Sequence, residues 1–111
     1  MDQIENVDVA TALLLIDQGA LLLDVREDDE WDAGHAAAAR HIPLSSVPDF
    51  LEGLPRDRII VCVCRSGGRS ACAGQFLAER GFDVVNLEGG MTAWYAAGAE
   101  MIADAMTPTV A

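Results

Sequence analysis

The chain predicts an α/β fold: one domain with a mainly parallel sheet of about five strands and helices on both faces. Three observations carry this. Short apolar runs at 20–25, 59–63 and 83–87 alternate with segments of helical character, the order that produces a parallel sheet covered by its crossover helices. The run IIVCV at 59–63 is continuously apolar and β-branched, as in a strand buried on both faces. The chain has 111 residues, of which 51% are hydrophobic, the size and composition of a single globular domain.

The elements follow in order. Asp8 reads as the N-cap of a helix through VATALLLIDQG, with Gly19 as its stop. ALLLDV at 20–25 is a buried strand ending in acidic residues. REDDEWDAG at 26–34 predicts a short helix with Trp31 as its large apolar anchor. Ala36–Ala39 would extend that helix on propensity, whereas Arg40, His41, Ile42 and Pro43 read as extended. SSVPDFLEGL at 45–54 reads as a helix with Val47, Phe50, Leu51 and Leu54 on one face. After the strand at 59–63, a helix from about Arg69 to Arg80 turns Ala73, Phe76 and Leu77 inward and stops at Gly81. DVVNL at 83–87 is a strand, and GGMTAWYAAG at 89–98 a closing helix. The core of the domain spans about 4–98. In the tail, 99–111, Met101, Ile102, Ala105 and Met106 share a helical face, with fraying expected after Thr107 and Pro108.

Charge narrows the function classes. The formal net charge is −11 and all seven cations are arginine, so nucleic acid and anionic membranes are disfavoured as partners. An anionic substrate would need a local positive site. The start, MDQIENVD, has no secretory pattern, and the longest apolar runs are too short to cross a bilayer. Three irregularly spaced cysteines fit free thiols in a reducing compartment, and the expected location is the cytoplasm.

The chemistry concentrates in CRSGGRS at 64–70, at the carboxyl end of IIVCV, where parallel sheets bind ligands. Gly67 and Gly68 let the backbone curl so that successive amides point inward as an anion-binding nest. The following helix N-terminus adds free amides and the positive end of its dipole. Arg65 and Arg69 bring guanidinium forks suited to a tetrahedral oxyanion, and Ser66 and Ser70 complete the loop. Cys64, at the mouth of this cradle, should be richer in thiolate than Cys62 or Cys72 and the best nucleophile in the chain. The bland alternative is a tight Gly-Gly turn beside an ordinary small residue.

Four motifs together resemble the single-domain rhodanese family of thiosulfate-type sulfurtransferases, over about Ile4 to Gly98. LLLDVREDDEWDAGH at 21–35 is similar to the family's first motif, HIPL at 41–44 to the segment after it, CRSGGRS to the active-site loop, and NLEGGMTAWYAAG at 86–98 to the closing motif. The family's Ile-Pro-Gly after Gly-His is replaced by Ala36, Ala37 and Ala38, which leaves the turn chemistry there open. The resemblance implies a two-step sulfur transfer. Cys64 takes sulfane sulfur from thiosulfate or a related donor as a persulfide and passes it to cyanide or a thiol, without metal or organic cofactor. Arg65, Ser66, Gly67, Gly68, Arg69 and Ser70 would bind the donor. The implied partners are a small anionic donor and a thiophilic acceptor, with an acceptor protein as a further option.

Related readings differ in testable ways. Phosphatases of similar fold place five residues between the loop's Cys and Arg. Here four, RSGG, separate Cys64 from Arg69, and the tighter loop suits a sulfane sulfur. A persulfide carrier serving a partner protein would show the same motifs but turn over slowly with small acceptors. Cys62 reads as a core residue. Cys72 reads as buried, with a resolving thiol as its alternative. Asp24 and Arg26 read as an ion pair supporting the loops, His35 as a structural hydrogen-bonding residue, and Trp31 and Trp94 as core anchors.

Overall fold

A computed structural model describes residues 4–103 together with 109 and 110. Five parallel strands form the main sheet: β1 (Glu5–Val7), β2 (Leu21–Asp24), β4 (Ala39–His41), β5 (Ile60–Val63) and β6 (Val84–Leu87), in the spatial order β1-β6-β5-β2-β4. The helices are α1 (Val9–Asp17), α2 (Asp28–Ala33), α3 (Gly68–Ala78) and α4 (Gly90–Ala96). A two-stranded antiparallel ribbon joins β3 (His35–Ala36) to β7 (Met101–Ile102).

Alternation along the central strands sorts the core into two layers. Leu23, Ile60, Cys62 and Cys64 face α3 and the 3-10 segment Leu44–Gly53, packing with Val47, Leu54, Ala73 and Leu77. Leu22, Val61, Val63 and Leu87 face the other way, against Ala12 of α1 and Met91 and Trp94 of α4. Cys62 and Cys64 therefore point to one side of the sheet, Cys64 being the first residue beyond β5.

Local signals explain most boundaries. The Asp8 carboxylate accepts from the Thr11 amide at 2.8 Å and caps α1. Glu27 and Glu30 close a capping box that starts α2. The edge strand β1 is three residues long, too short for a periodic signal. At 44–53 the expected helix is 3-10 in type, with Pro48 inside it lacking the amide that an α-helical turn would use. Leu44, Val47, Leu51 and Leu54 face inward, but Phe50 is turned out and 48% exposed. The Ala36–Ala39 stretch does not extend α2: its ends pair as strands around a turn at Ala37 and Ala38. The tail departs from its helical reading in the same way. Met101 and Ile102 pair with Ala36 and His35, where strand partners outweigh local propensity. Ala105 and Met106 lie outside the described residues.

One buried polar pair sits beneath the sheet's carboxyl end. Asp24 and Arg26 are both fully buried, with Arg26 Nη2 at 2.8 Å from Asp24 Oδ2 and Nε at 3.0 Å from Oδ1. Arg26 Nη2 also donates to the Gly34 carbonyl at 2.8 Å, and the Arg26 carbonyl accepts from His41 Nε2 at 2.7 Å. The pair thus ties β2 to the end of α2 and to β4. Breaking a buried pair strands a charge, so Asp24→Asn is expected to cost about 3 kcal/mol. Urea denaturation measures this, and an unchanged midpoint would contradict the supporting role.

Candidate active site

Cys64 directly follows β5, and the chain then rises over it. Arg65 and Ser66 are exposed, Gly67 adopts a left-handed conformation (φ 117°), and α3 begins at Gly68. Only glycine adopts that turn without Cβ strain, and it aims the Gly67 amide back at Cys64 Sγ, 3.1 Å away. Cys64 itself is only 1% exposed. It lies on the floor of the cradle rather than at its mouth, because its side chain continues the inward-facing row of Ile60 and Cys62.

The loop is held from behind by α4. The Met91 amide donates to the Cys64 carbonyl at 2.8 Å, and the Thr92 amide and hydroxyl each donate to the Arg65 carbonyl at 3.1 Å. Gly90 (φ 56°) makes this approach possible: a Cβ there would overlap the carbonyls of Cys64 and Arg65. This is the physical content of the Glu-Gly-Gly stretch at 88–90. Gly90→Ala is expected to cost about 2 kcal/mol or more through backbone strain and to slow Cys64 alkylation. Wild-type melting and alkylation in that variant would show that the approach is not required.

The thiol's environment is set by neutral donors. Burial alone pushes the Cys64 thiol up, but the Ser70 hydroxyl and the amides of Ser70, Gly67 and Ser66 outweigh it and hold the thiol below its ordinary value. Cys62, two residues earlier on the same face, has no such donors, and burial drives it up to about 12. Cys72 is exposed on α3, which corrects its reading as a buried residue: it falls on the solvent side of the helix, away from the inward Ala73 and Leu77.

Ser70 is itself positioned. Its Oγ is 3.3 Å from Cys64 Sγ, 3.3 Å from the Gly67 carbonyl and 2.6 Å from Asn86 Oδ1. The amide orientation of Asn86 follows from its other contacts. The group facing the Gly67 carbonyl at 3.2 Å must donate, so it is Nδ2, which also meets Asn6 Oδ1 at 3.0 Å. The buried Asn86 therefore presents its carbonyl to Ser70. One hydroxyl hydrogen is shared among three acceptors, and a Cys64 thiolate competes for it with its charge. Ser70→Ala is expected to move the pH midpoint of Cys64 alkylation upward. Thiolate is the nucleophile, so alkylation near neutral pH slows and the rates converge at high pH; an unmoved midpoint would exclude the hydroxyl from this role. Peptide mass mapping separates Cys64 from the exposed Cys72.

The two loop arginines part company. Arg65 is exposed at the rim. Arg69 places both teeth of its fork on Glu30 of α2, Nη1 to Oε1 at 2.6 Å and Nη2 to Oε2 at 2.7 Å. The Arg69 bond holds the Glu30 carboxyl down at about 2, and Glu30 in turn raises Arg69 above its already high value. Trp31 stacks on His35 (centroids 3.5 Å apart) and His41 (4.6 Å), while His35 Nδ1 donates to the Trp31 carbonyl at 2.8 Å. Among the described residues no His, Cys, Asp and Glu side chains gather in a group able to hold a metal, and no helix is long and apolar enough to cross a membrane.

Residues 8–97 match the family model of the rhodanese-like domain. The chain belongs to the rhodanese-like family. It is 42% identical over 94 residues to "Putative sulfurtransferase YtwF" of Bacillus subtilis, covering 81% of this chain and 91% of that protein. It is 30% identical over 95 residues to the thiosulfate sulfurtransferase GlpE of Pseudomonas fluorescens, covering 85% and 87%. The crystal structure of a rhodanese-related protein from Thermoplasma volcanium superposes with a TM-score of 0.83 at 31% identity, covering 90% of this chain and 99% of that one. These similarities support a sulfurtransferase role for this rhodanese-like chain. Glu30, Asn86, Gly90 and Thr92 lie within the family-like stretches at 21–35 and 86–98, but sequence reasoning gave them no individual role at the site. Each acts across the fold, on a loop that is remote from it in sequence.

Proposed function

We propose that the protein moves sulfane sulfur through a persulfide on Cys64. The observation that carries this is the ring of donors around Sγ: the Gly67 amide at 3.1 Å and the Ser70 hydroxyl at 3.3 Å, with further amides from Ser66 and Ser70. These favour thiolate before the reaction and stabilise the anionic persulfide after it.

In the first half-reaction the Cys64 thiolate attacks the outer sulfur of thiosulfate or a related donor. A new S–S bond forms, the donor's S–S bond breaks, and sulfite leaves with the bonding pair. Residues Arg65, Ser66, Gly67, Gly68, Arg69 and Ser70 line the approach and bind the donor, chiefly through amides, since Arg69 is engaged by Glu30. In the second half-reaction cyanide or a thiol attacks the terminal sulfur, the S–S bond breaks, and Cys64 thiolate is regenerated. The transferred sulfur stands about 2 Å above Sγ, so the persulfide reaches from a 1% exposed floor toward solvent. The acceptor need not enter the loop. No proton relay or organic cofactor enters either step.

Intact-mass measurement after incubation with thiosulfate tests this reading. Wild type should gain one sulfur that cyanide removes, and Cys64→Ser should gain none and lose thiosulfate:cyanide turnover. Cys62→Ser and Cys72→Ser should keep most of it. Full turnover in Cys64→Ser would end the proposal. Stoichiometric loading with slow release to cyanide would point instead to a carrier that hands sulfur to a protein.

A further inference from the structure

The transfer steps leave one strong interaction without a task. Arg69, the guanidinium nearest the start of α3, is held by Glu30 through two parallel charge-assisted bonds. Glu30 is in turn fixed to its own helix, because Oε1 accepts from the Glu27 amide at 3.0 Å. The carboxylate side chain is 15% exposed and the guanidinium 37%, so the pair lies at the edge of the site. Around it, the N-cap Glu27 and the first-turn residues Asp28 and Asp29 of α2 are exposed, and the buried Arg26 is already paired with Asp24.

We propose that Glu30 sets the donor class: by occupying both teeth of Arg69 it withholds that cation from dianionic, sulfonate-headed donors and favours persulfides of organic thiols. This rests on the sulfur-transfer reading of Cys64. Thiosulfate brings two negative charges, and its sulfonate gains a fork from Arg69 only by displacing a carboxylate that then faces it. A persulfide R–S–SH makes no such demand. The Cys64 thiolate attacks its outer sulfur, the R–S bond to that sulfur breaks, and R–S⁻ leaves with the bonding pair and is protonated by water. The outer sulfur, with its hydrogen, stays on Cys64.

The discriminating substitution is Glu30→Gln. It keeps the length of the side chain and the oxygen that caps α2 but removes the charge that commits Arg69. The measurement is the ratio of kcat/KM for thiosulfate to kcat/KM for the persulfide of 2-mercaptoethanol, an uncharged thiol. Glu30→Gln is expected to shift that ratio about tenfold toward thiosulfate, the scale of one charge-assisted hydrogen bond, mainly through the thiosulfate KM. Adding Arg69→Gln to Glu30→Gln should abolish the gain. An unchanged ratio in Glu30→Gln, or an equal gain in the double variant, would overturn the assignment. Should Glu30→Gln fail to fold, Glu30→Asp serves: its stem is one methylene shorter and draws the carboxylate back from Arg69, a smaller shift in the same direction is expected, and no shift overturns the proposal. Wild-type protein that gains no sulfur from either donor would sink the transfer reading itself, whereas loading with an unaltered ratio sinks only the role of Glu30.

Discussion

The site depends on where two carbonyls point. A trans peptide sends its C=O and N–H in opposite directions, so tying the Arg65 carbonyl to the start of α4 turns the Ser66 amide toward the sulfur. The inward face of the loop is thus a consequence of its outward one. Gly90 is what permits the two backbones to approach, and Gly67 is what lets the chain double back into α3. Loop curvature, thiol chemistry and helix packing are settled by the same few hydrogen bonds.

Electrostatically the arrangement is economical with charge. A chain of net charge −11 could have activated its thiol with cations, yet Arg69 is compensated by Glu30 and Arg26 by Asp24. Neutral donors surround the sulfur itself, and Cys62 and Cys64 differ in having them. Two thiols on one strand face are driven in opposite directions by the presence or absence of donors. Dipoles held by the fold need no reorganisation when charge develops, and salt screens them less than it screens surface ions.

How much of this was legible in the sequence follows from the range of each interaction. The α/β class, the positions of the central strands and the loop at 64–70 rest on local patterns, and those patterns are strong. Asp24 with Arg26 was readable because the partners are two residues apart. Failures cluster where a distant partner decides. Met101 and Ile102 become strand because His35 and Ala36 are there to pair with. For Cys72 the signal was local: the helix phase that Ala73, Phe76 and Leu77 set turns position 72 away from the core. The pairing of Arg69 with Glu30 crosses 39 positions, beyond the reach of any local pattern.

The edge strand β1 carries a consequence for the life of the chain. It pairs with β6 near the other end, Asn6 beside Asn86, and Asn86 is the residue that aims Ser70. The first strand made must wait for nearly the last, and contacts of such separation form slowly. Until they form, the donors around Cys64 Sγ are incomplete, because Asn86 is not yet in place to aim Ser70. The thiolate character of Cys64 is therefore a late product of folding.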